Sequence, residues 1–237
     1  MKPKHFLTAD TETLGLSPNN FVYDFAYTIA TRKTIKLTRS FLVREILCNP
    51  GFIMRGFNNK EWRTMFGVKI FIDYIPALDE SRMKIYNWRD IVETLREDMR
   101  TYDVKVFAAY NINFDTRALG KTQHAICAGG KILEYKPDLL DLWLFACVGA
   151  LNTKLYHDVA RKQGWISPAD NVRTTAEKTY AFLTGNYDFV EKHIALDDAI
   201  IETEILQRLL AKKKTIPYNQ VQTMSWQHAQ TIKGRLL

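Results

Sequence analysis

His5-Phe6-Leu7-Thr8-Ala9-Asp10-Thr11-Glu12-Thr13-Leu14-Gly15 reads as a strand that ends in two carboxylates. Its first seven residues, apolar and rich in threonine, suit a pleated backbone. Alternate side chains of a strand share a face, so Asp10 and Glu12 project together. Leu7 and Ala9 lie opposite or deeper, and Thr11 and Thr13 alternate outward. Two carboxylates on one face repel each other, and a metal ion between them resolves the repulsion. Gly15 comes where the chain has to turn sharply off the strand.

Working outward, Ser17-Pro18-Asn19-Asn20 reads as a turn, and residues 21–31 and 34–43 as β-rich runs joined by a hairpin at Arg32-Lys33. Trp88, Ile91, Val92, Leu95 and Met99 have helical spacing. Residues 104–110 form a short apolar strand of the kind found at a sheet centre. A helix begins near Phe114, and residues 131–135 read as a fifth strand. Helices follow over 141–151, 155–164, 174–183 and 195–213. Strands first and alternation later predict one α/β domain over residues 1–237, with a mixed five-stranded sheet flanked by helices.

Two further stretches add acidic residues. Tyr110-Asn111-Ile112-Asn113-Phe114-Asp115 places Asp115 at a strand-to-helix junction, where α/β sheets bind ligands. An aspartate there also makes an ordinary helix cap. His193-Ile194-Ala195-Leu196-Asp197-Asp198-Ala199 offers two aspartates, which helix geometry separates. From Asp198, the residues three, seven and eleven on are Ile201, Ile205 and Leu209, an apolar stripe. From Asp197, the residues four, seven and eleven on are Ile201, Glu204 and Arg208, a stripe that turns outward. His193, five positions before Asp198, is placed to take a proton from an attacking water. Asp141 reads as a helix cap and Asp138 as surface. Converging carboxylates are hard ligands that suit Mg²⁺ or Mn²⁺ rather than zinc.

In this order, the Asp10/Glu12 pair, Asn111-x-x-Phe114-Asp115 and His193-x-Ala195-x-x-Asp198-Ala199 resemble the DEDD superfamily of 3′→5′ exonucleases, in the branch with a histidine in its third motif. The resemblance covers residues 5–43 and 100–212 and says little about 44–86 or the tail. It implies a ribonuclease-H-like fold and two divalent ions held by Asp10, Glu12, Asp115 and Asp198, with His193 deprotonating the attacking water. It also implies that the Thr13 backbone and the Leu14 side chain grip the terminal nucleotide, that Asn111 helps bind substrate, and that Glu12 accepts a hydrogen bond from the 3′-hydroxyl. Many relatives have histidine where this chain has Tyr110.

Composition agrees with a nucleic-acid partner. The net charge is +7, and after Glu204 the chain carries Arg208, Lys212, Lys213, Lys214, Lys233 and Arg235 with no acid among them. Such a basic stretch attracts a polyanion, although Lys212 to Lys214 equally complement a helix dipole. Residues 44–86 mix Phe52, Phe57, Trp62, Phe66, Phe71 and Tyr74 with Arg55, Lys60, Arg63 and Lys69. That mixture fits either a local aromatic core or a surface on which single-stranded bases stack. The weight falls on the core for Trp62 and Phe66, and on phosphate contacts for Arg55, Lys60 and Arg63. Apolar residues make up 46% with no run near a membrane span, which excludes a disordered or membrane-spanning chain. Cys48, Cys127 and Cys147 are far apart and read as small buried thiols of a cytoplasmic protein. The expected substrate is a single-stranded 3′ end, DNA ahead of RNA, in a setting compatible with a polymerase or a replication or repair partner. The alternatives are a small-RNA exonuclease and a non-catalytic binding module, whose usual mark is a lost acidic ligand.

Overall fold

β1 (Phe6–Thr13) begins deep in the computed structural model and emerges at its carboxylates, so one strand links the core to the site. The structure describes residues 4–15, 20–56, 60–81, 83–212 and 215–231, the side chains of 60–63 excepted. The turn expected at residues 17–20 lies largely outside the described residues, as do Phe57, Lys213, Lys214, Lys233 and Arg235.

β1 pairs antiparallel with β2 (Val22–Ala30), and β2 with β3 (Ile35–Val43). The β2–β3 hairpin closes with Thr31 N–H donating to Thr34 O at 2.8 Å, which leaves Arg32 and Lys33 at the tip. All nine residues of β2 are buried, as in a strand covered on both faces. Next come α1 (Arg44–Leu47), α2 (Pro50–Gly56), α3 (Lys60–Lys69), a wide π turn (Ile70–Tyr74) and α4 (Ile75–Asp79). Together they form a helical arm. β4 (Ile85–Tyr86) leads to α5 (Trp88–Thr101), β5 (Val106–Ala109), α6 (Ile112–Cys127) and β6 (Asp138–Asp141). α7 (Leu142–Ala146) then runs through a π turn (Cys147–Leu151) toward α8 (Lys154–Lys162), α9 (Ala176–Thr184), α10 (Ala195–Lys212) and α11 (Gln227–Gln230).

The sheet order is β4-β3-β2-β1-β5-β6, with β4, β5 and β6 each parallel to its inner neighbour. Among the described residues it has six strands rather than five, because Ile85 and Tyr86 add a two-residue edge to β3. Residues 131–135 are not a strand. They bend, pack Ile132, Leu133 and Tyr135 on the core, and give the carbonyl of Ile132 to Arg96. The last strand starts only after Pro137, where Asp138 N–H first reaches Lys105 O.

Alternation along β1 divides the core. Leu7 and Ala9 pack with Trp88, Ile91 and Leu95 of α5, whereas Phe6 packs with Ile205 and Leu209 of α10. Asp10 and Glu12 share the face of Phe6, so they meet α10. Thr11, expected to alternate outward, is buried on the other face and bonds α6. A polar network ties the α5 side together: the Tyr27 hydroxyl and Arg39 Nε donate to Asp98 Oδ2 at 2.7 and 2.8 Å.

The arm docks at the end of β1. A Cβ on Gly15 would meet Gly56 O at 2.6 Å, and one on Gly56 would meet Leu14 Cβ at 2.3 Å. Gly15 is therefore required by close packing against α2; its backbone is not left-handed. Phe52 and Phe66 pack edge-on against Phe21 and Tyr23, with ring centroids 4.9 and 5.1 Å apart. Phe71 faces solvent instead. The side chains of Lys60, Trp62 and Arg63 lie outside the described residues. Phe66 is half-buried, so Phe66→Ala should cost about 2–3 kcal/mol, below the ~3–5 of a fully buried aromatic. Thermal unfolding measures this, and a loss under about 1 kcal/mol would mean that the arm is not anchored there. Of the thiols, Cys147 is buried as expected but Cys48 is exposed, at the short turn between α1 and α2. No described helix is long and apolar enough to cross a membrane.

Candidate metal centre

A β-bulge sets Tyr23 of β2 against the step from Glu12 to Thr13, and the pairing of β1 with β2 closes at Thr13 and Val22. Bulges re-aim side chains, and the bulged residue here, Tyr23, lines the cleft beside Glu12. Asp115 stands in the first turn of α6, whose cap residue is Asn111 in the left-handed conformation (φ 67°). Asparagine tolerates that conformation better than most residues. Asp115 is therefore not the cap. It is buried, and the Thr11 hydroxyl donates to its Oδ1 at 2.7 Å.

α10 brings the third group. Asp198 is 4% exposed, whereas Asp197 is half-exposed and pairs with Lys192 at 3.5 Å. Ligand atoms of Glu12, His193 and Asp198 all lie within 4.8 Å of one another. The His193 side chain is 70% exposed, with Nδ1 3.8 Å from Glu191. Asp10 adjoins this group, since its ionisation is opposed by burial first and then by the charges of Glu202, Asp115, Asp198 and Glu12. The structure thus collects all five predicted catalytic residues at the ends of β1, α6 and α10. Of the predicted substrate contacts, Thr13 lines a cleft beside them, Asn111 lines a separate cavity with Tyr110 and Trp143, and Leu14 is fully buried beneath Gly56.

Burial raises the carboxyls of these acids above their ordinary range and so opposes their ionisation. It lifts Asp198 to about 8, helped by the charges of Glu191 and Glu12. It lifts Asp115 to about 7 against the opposing Thr11 hydrogen bond, and it raises Asp10 and Glu12 from the usual carboxylate range. Among the described residues, Asp10 Oδ2 and Asp198 Oδ1 are shielded from solvent with no hydrogen-bond partner. Unpaired buried oxygens of this kind are costly. A divalent cation bound by oxygens removes both problems, so the donor set fits Mg²⁺ or Mn²⁺.

The linkage has a definite sign. An acid whose pKa is raised on folding binds more protons folded than unfolded, so stability falls as pH rises between the two values. For Asp115 and Asp198 the window runs from the ordinary value of about 4 to about 7 and 8. The metal-free protein should therefore melt at lower temperature at pH 8 than at pH 5.5. Mg²⁺ should restore the loss, and do so most strongly at pH 8. Melting that rises across this window without metal would contradict the burial of these carboxyls.

Four contributors escaped the motif reading. Glu202, one turn beyond Asp198, is 3% exposed and accepts the Tyr110 N–H at 3.0 Å. Its burial and the Asp115 charge push its carboxyl well up. The signal was available, because residues four apart share a helix face. Asp24 lies opposite Glu12 in the β1–β2 register and is fully buried, with its carboxyl at about 7 through burial. A lone acid in a nine-residue buried strand was its mark. Lys69 and Tyr74 come from the arm, and no periodicity could have placed them. Asp141, expected as a cap, accepts the N–H groups of Trp143 and Leu144.

A cleft of about 500 Å³ opens beside the cluster, lined by Glu12, Thr13, Tyr23, Phe66, Lys69 and His193 among others. Its outer wall is the apolar face of the arm, with Met65, Val68 and Ile72 exposed.

No protein-family model and no curated protein matches this chain. Among solved structures, a full-length 3′-exonuclease is similar at a TM-score of 0.56 and 13% identity, over 95% of this chain and 90% of that one. Exonuclease X in complex with 5′ overhanging duplex DNA is similar at a TM-score of 0.45 and 18% identity, over 89% and 93%. The likeness to the 3′-exonuclease concerns the fold, and the strand order and flanking helices are those of a ribonuclease-H-like α/β domain.

Proposed function

We propose that this chain is a divalent-metal-dependent 3′→5′ exonuclease that releases nucleoside 5′-monophosphates from single-stranded nucleic acid, DNA ahead of RNA. The observation that carries this reading is the pair of buried, unpartnered oxygens on Asp10 and Asp198, set beside Glu12, Asp115 and His193. So many acids are not assembled in one buried place for stability, since each opposes the ionisation of the next. Two Mg²⁺ or Mn²⁺ ions, when bound, supply charge for the attacking and leaving oxygens of a phosphodiester. Asp10 would hold both, Glu12 and Asp198 one of them, and Asp115 the other.

The chain's own groups supply the rest. His193 has an accessible imidazole on the side of Glu12 and Asp198, where it takes the proton of the attacking water as the new P–O bond forms and the bond to the preceding nucleotide's 3′-oxygen breaks, its electron pair leaving on that oxygen. Glu12 and the Thr13 backbone hold the terminal nucleotide at the cleft mouth, and Asn111 helps to bind substrate from its own cavity. Leu14 shapes that grip from beneath rather than by direct contact. The apolar cleft wall of Met65, Phe66 and Val68 suits bases without a complementary strand.

End-labelled DNA and RNA oligomers of matched sequence, digested with and without Mg²⁺, test the proposal. The expected result is a ladder of products shortened from the 3′ end, absent in chelator and stronger on DNA. Faster loss of the RNA would reassign the substrate to RNA 3′ ends. Binding without cleavage in Mg²⁺ and Mn²⁺ would reduce the protein to a binding module.

A further inference from the structure

One side chain of the arm reaches the segment that enters α10, and a second is linked to it through Asp24 of β2. Lys69 Nζ donates to the backbone carbonyl of His193, and it lies 3.1 Å from Glu12 Oε2 and 3.4 Å from the Tyr23 hydroxyl. Three acceptors match the three donors of an ammonium group. Five residues on, the Tyr74 hydroxyl donates to Asp24 Oδ2 at 2.9 Å, and the same oxygen accepts the Ala195 N–H at 3.2 Å. The arm therefore holds both ends of the step from His193 to Ala195.

That step needs holding. His193 has φ +56°, in the left-handed region that a β-carbon disfavours. Its imidazole is exposed, so packing does not fix it. A residue keeps such a conformation only where its surroundings impose it. Lys69 is also not an ordinary surface ion pair: it and Glu12 are 18% and 20% exposed, and its ammonium lies 5.6 Å from the Tyr74 ring centre.

We infer that Lys69 is a positioning residue, which with Tyr74 clamps the entry to α10 and so aims the His193 imidazole at the Glu12–Asp198 side of the centre. The inference rests on His193 being the general base of the proposed nuclease. It gives the arm, which the sequence motifs leave without a role, a part in the chemistry.

The test combines kinetics on an end-labelled oligonucleotide with amide hydrogen exchange of the metal-free protein, for Lys69→Met, His193→Ala and the double variant. Lys69→Met should lower kcat by roughly 10–100-fold, as a slight misplacement of a catalytic group does, with KM little changed. The double variant should be about as slow as His193→Ala alone, because both changes remove one function. Amides of residues 193–196 should exchange faster in metal-free Lys69→Met, and Lys69→Arg should recover part of the rate. Losses that multiply in the double variant would make Lys69 a substrate contact and overturn the inference. So would unchanged exchange, or an activity raised by Lys69→Met, which would make the lysine a competitor of the ions. A His193→Ala variant of normal activity would instead defeat the base assignment, with exchange still deciding the clamp. If Lys69→Met does not fold, Tyr74→Phe, which keeps the ring and removes the hydroxyl that bonds Asp24 and Tyr23, is held to the same kinetic and exchange criteria.

Discussion

Asp10→Asn and Asp198→Asn are each expected to abolish hydrolysis while leaving the metal-free protein as stable as the parent or more stable. The two effects have one cause. Asp10 and Asp198 each present a buried oxygen without a partner, and neighbouring acids oppose the ionisation of both. Removing one charge relieves that repulsion in the absence of metal, and it takes away a ligand in its presence. Mg²⁺ should then stabilise the variants less than it stabilises the parent, which melting with and without the ion measures. Asp197→Asn is the control, since Asp197 turns outward to Lys192. Near-normal turnover by the Asp10 or Asp198 variant would remove that carboxylate from the site, and an inactive Asp197 variant would reverse the assignment along α10.

His193→Ala should slow the reaction by roughly 10²–10⁴-fold, the range for a positioned general base. Metal affinity should change little. The deficit should narrow as pH rises, because hydroxide then takes over the missing proton transfer. This outcome separates two roles that geometry allows, for a ring nitrogen of His193 lies within 4.8 Å of ligand atoms on both Glu12 and Asp198. Collapse of metal binding in His193→Ala would make the imidazole a ligand and require another base. Calorimetric titration of Mg²⁺ or Mn²⁺ into parent and variant decides between them.

The acidic site was legible in the sequence because it depends on local rules. A strand period of two puts Asp10 and Glu12 on one face, and a helix period of 3.6 turns Asp198 toward the core and Asp197 away from it. The main elements were legible for the same reason: β2, β3, α5 and α10 carry strong apolar patterns. Where the pattern was short, it misled. Residues 131–135 have a strand's composition but bend over the core, and the two residues of β4 are too few to show any period.

What sequence alone determined, then, is four of the clustered acids, Asp10, Glu12, Asp115 and Asp198, and the helix or strand that carries each, but not Glu202 or Asp24. Only the tertiary structure decided what surrounds them. Leu14 became buried because Gly15 and Gly56 let α2 approach the end of β1. Lys69 met Glu12 and His193 across gaps of 57 and 124 residues because the π turn and the edge-on packing of Phe66 on Tyr23 lay the arm along β2. Such contacts depend on how two separately formed elements pack, and no local periodicity encodes the partner. The four acids belong to the strands and helices of the core fold, while the lysine that pairs with Glu12 comes from an arm whose place is set only when the whole chain has packed.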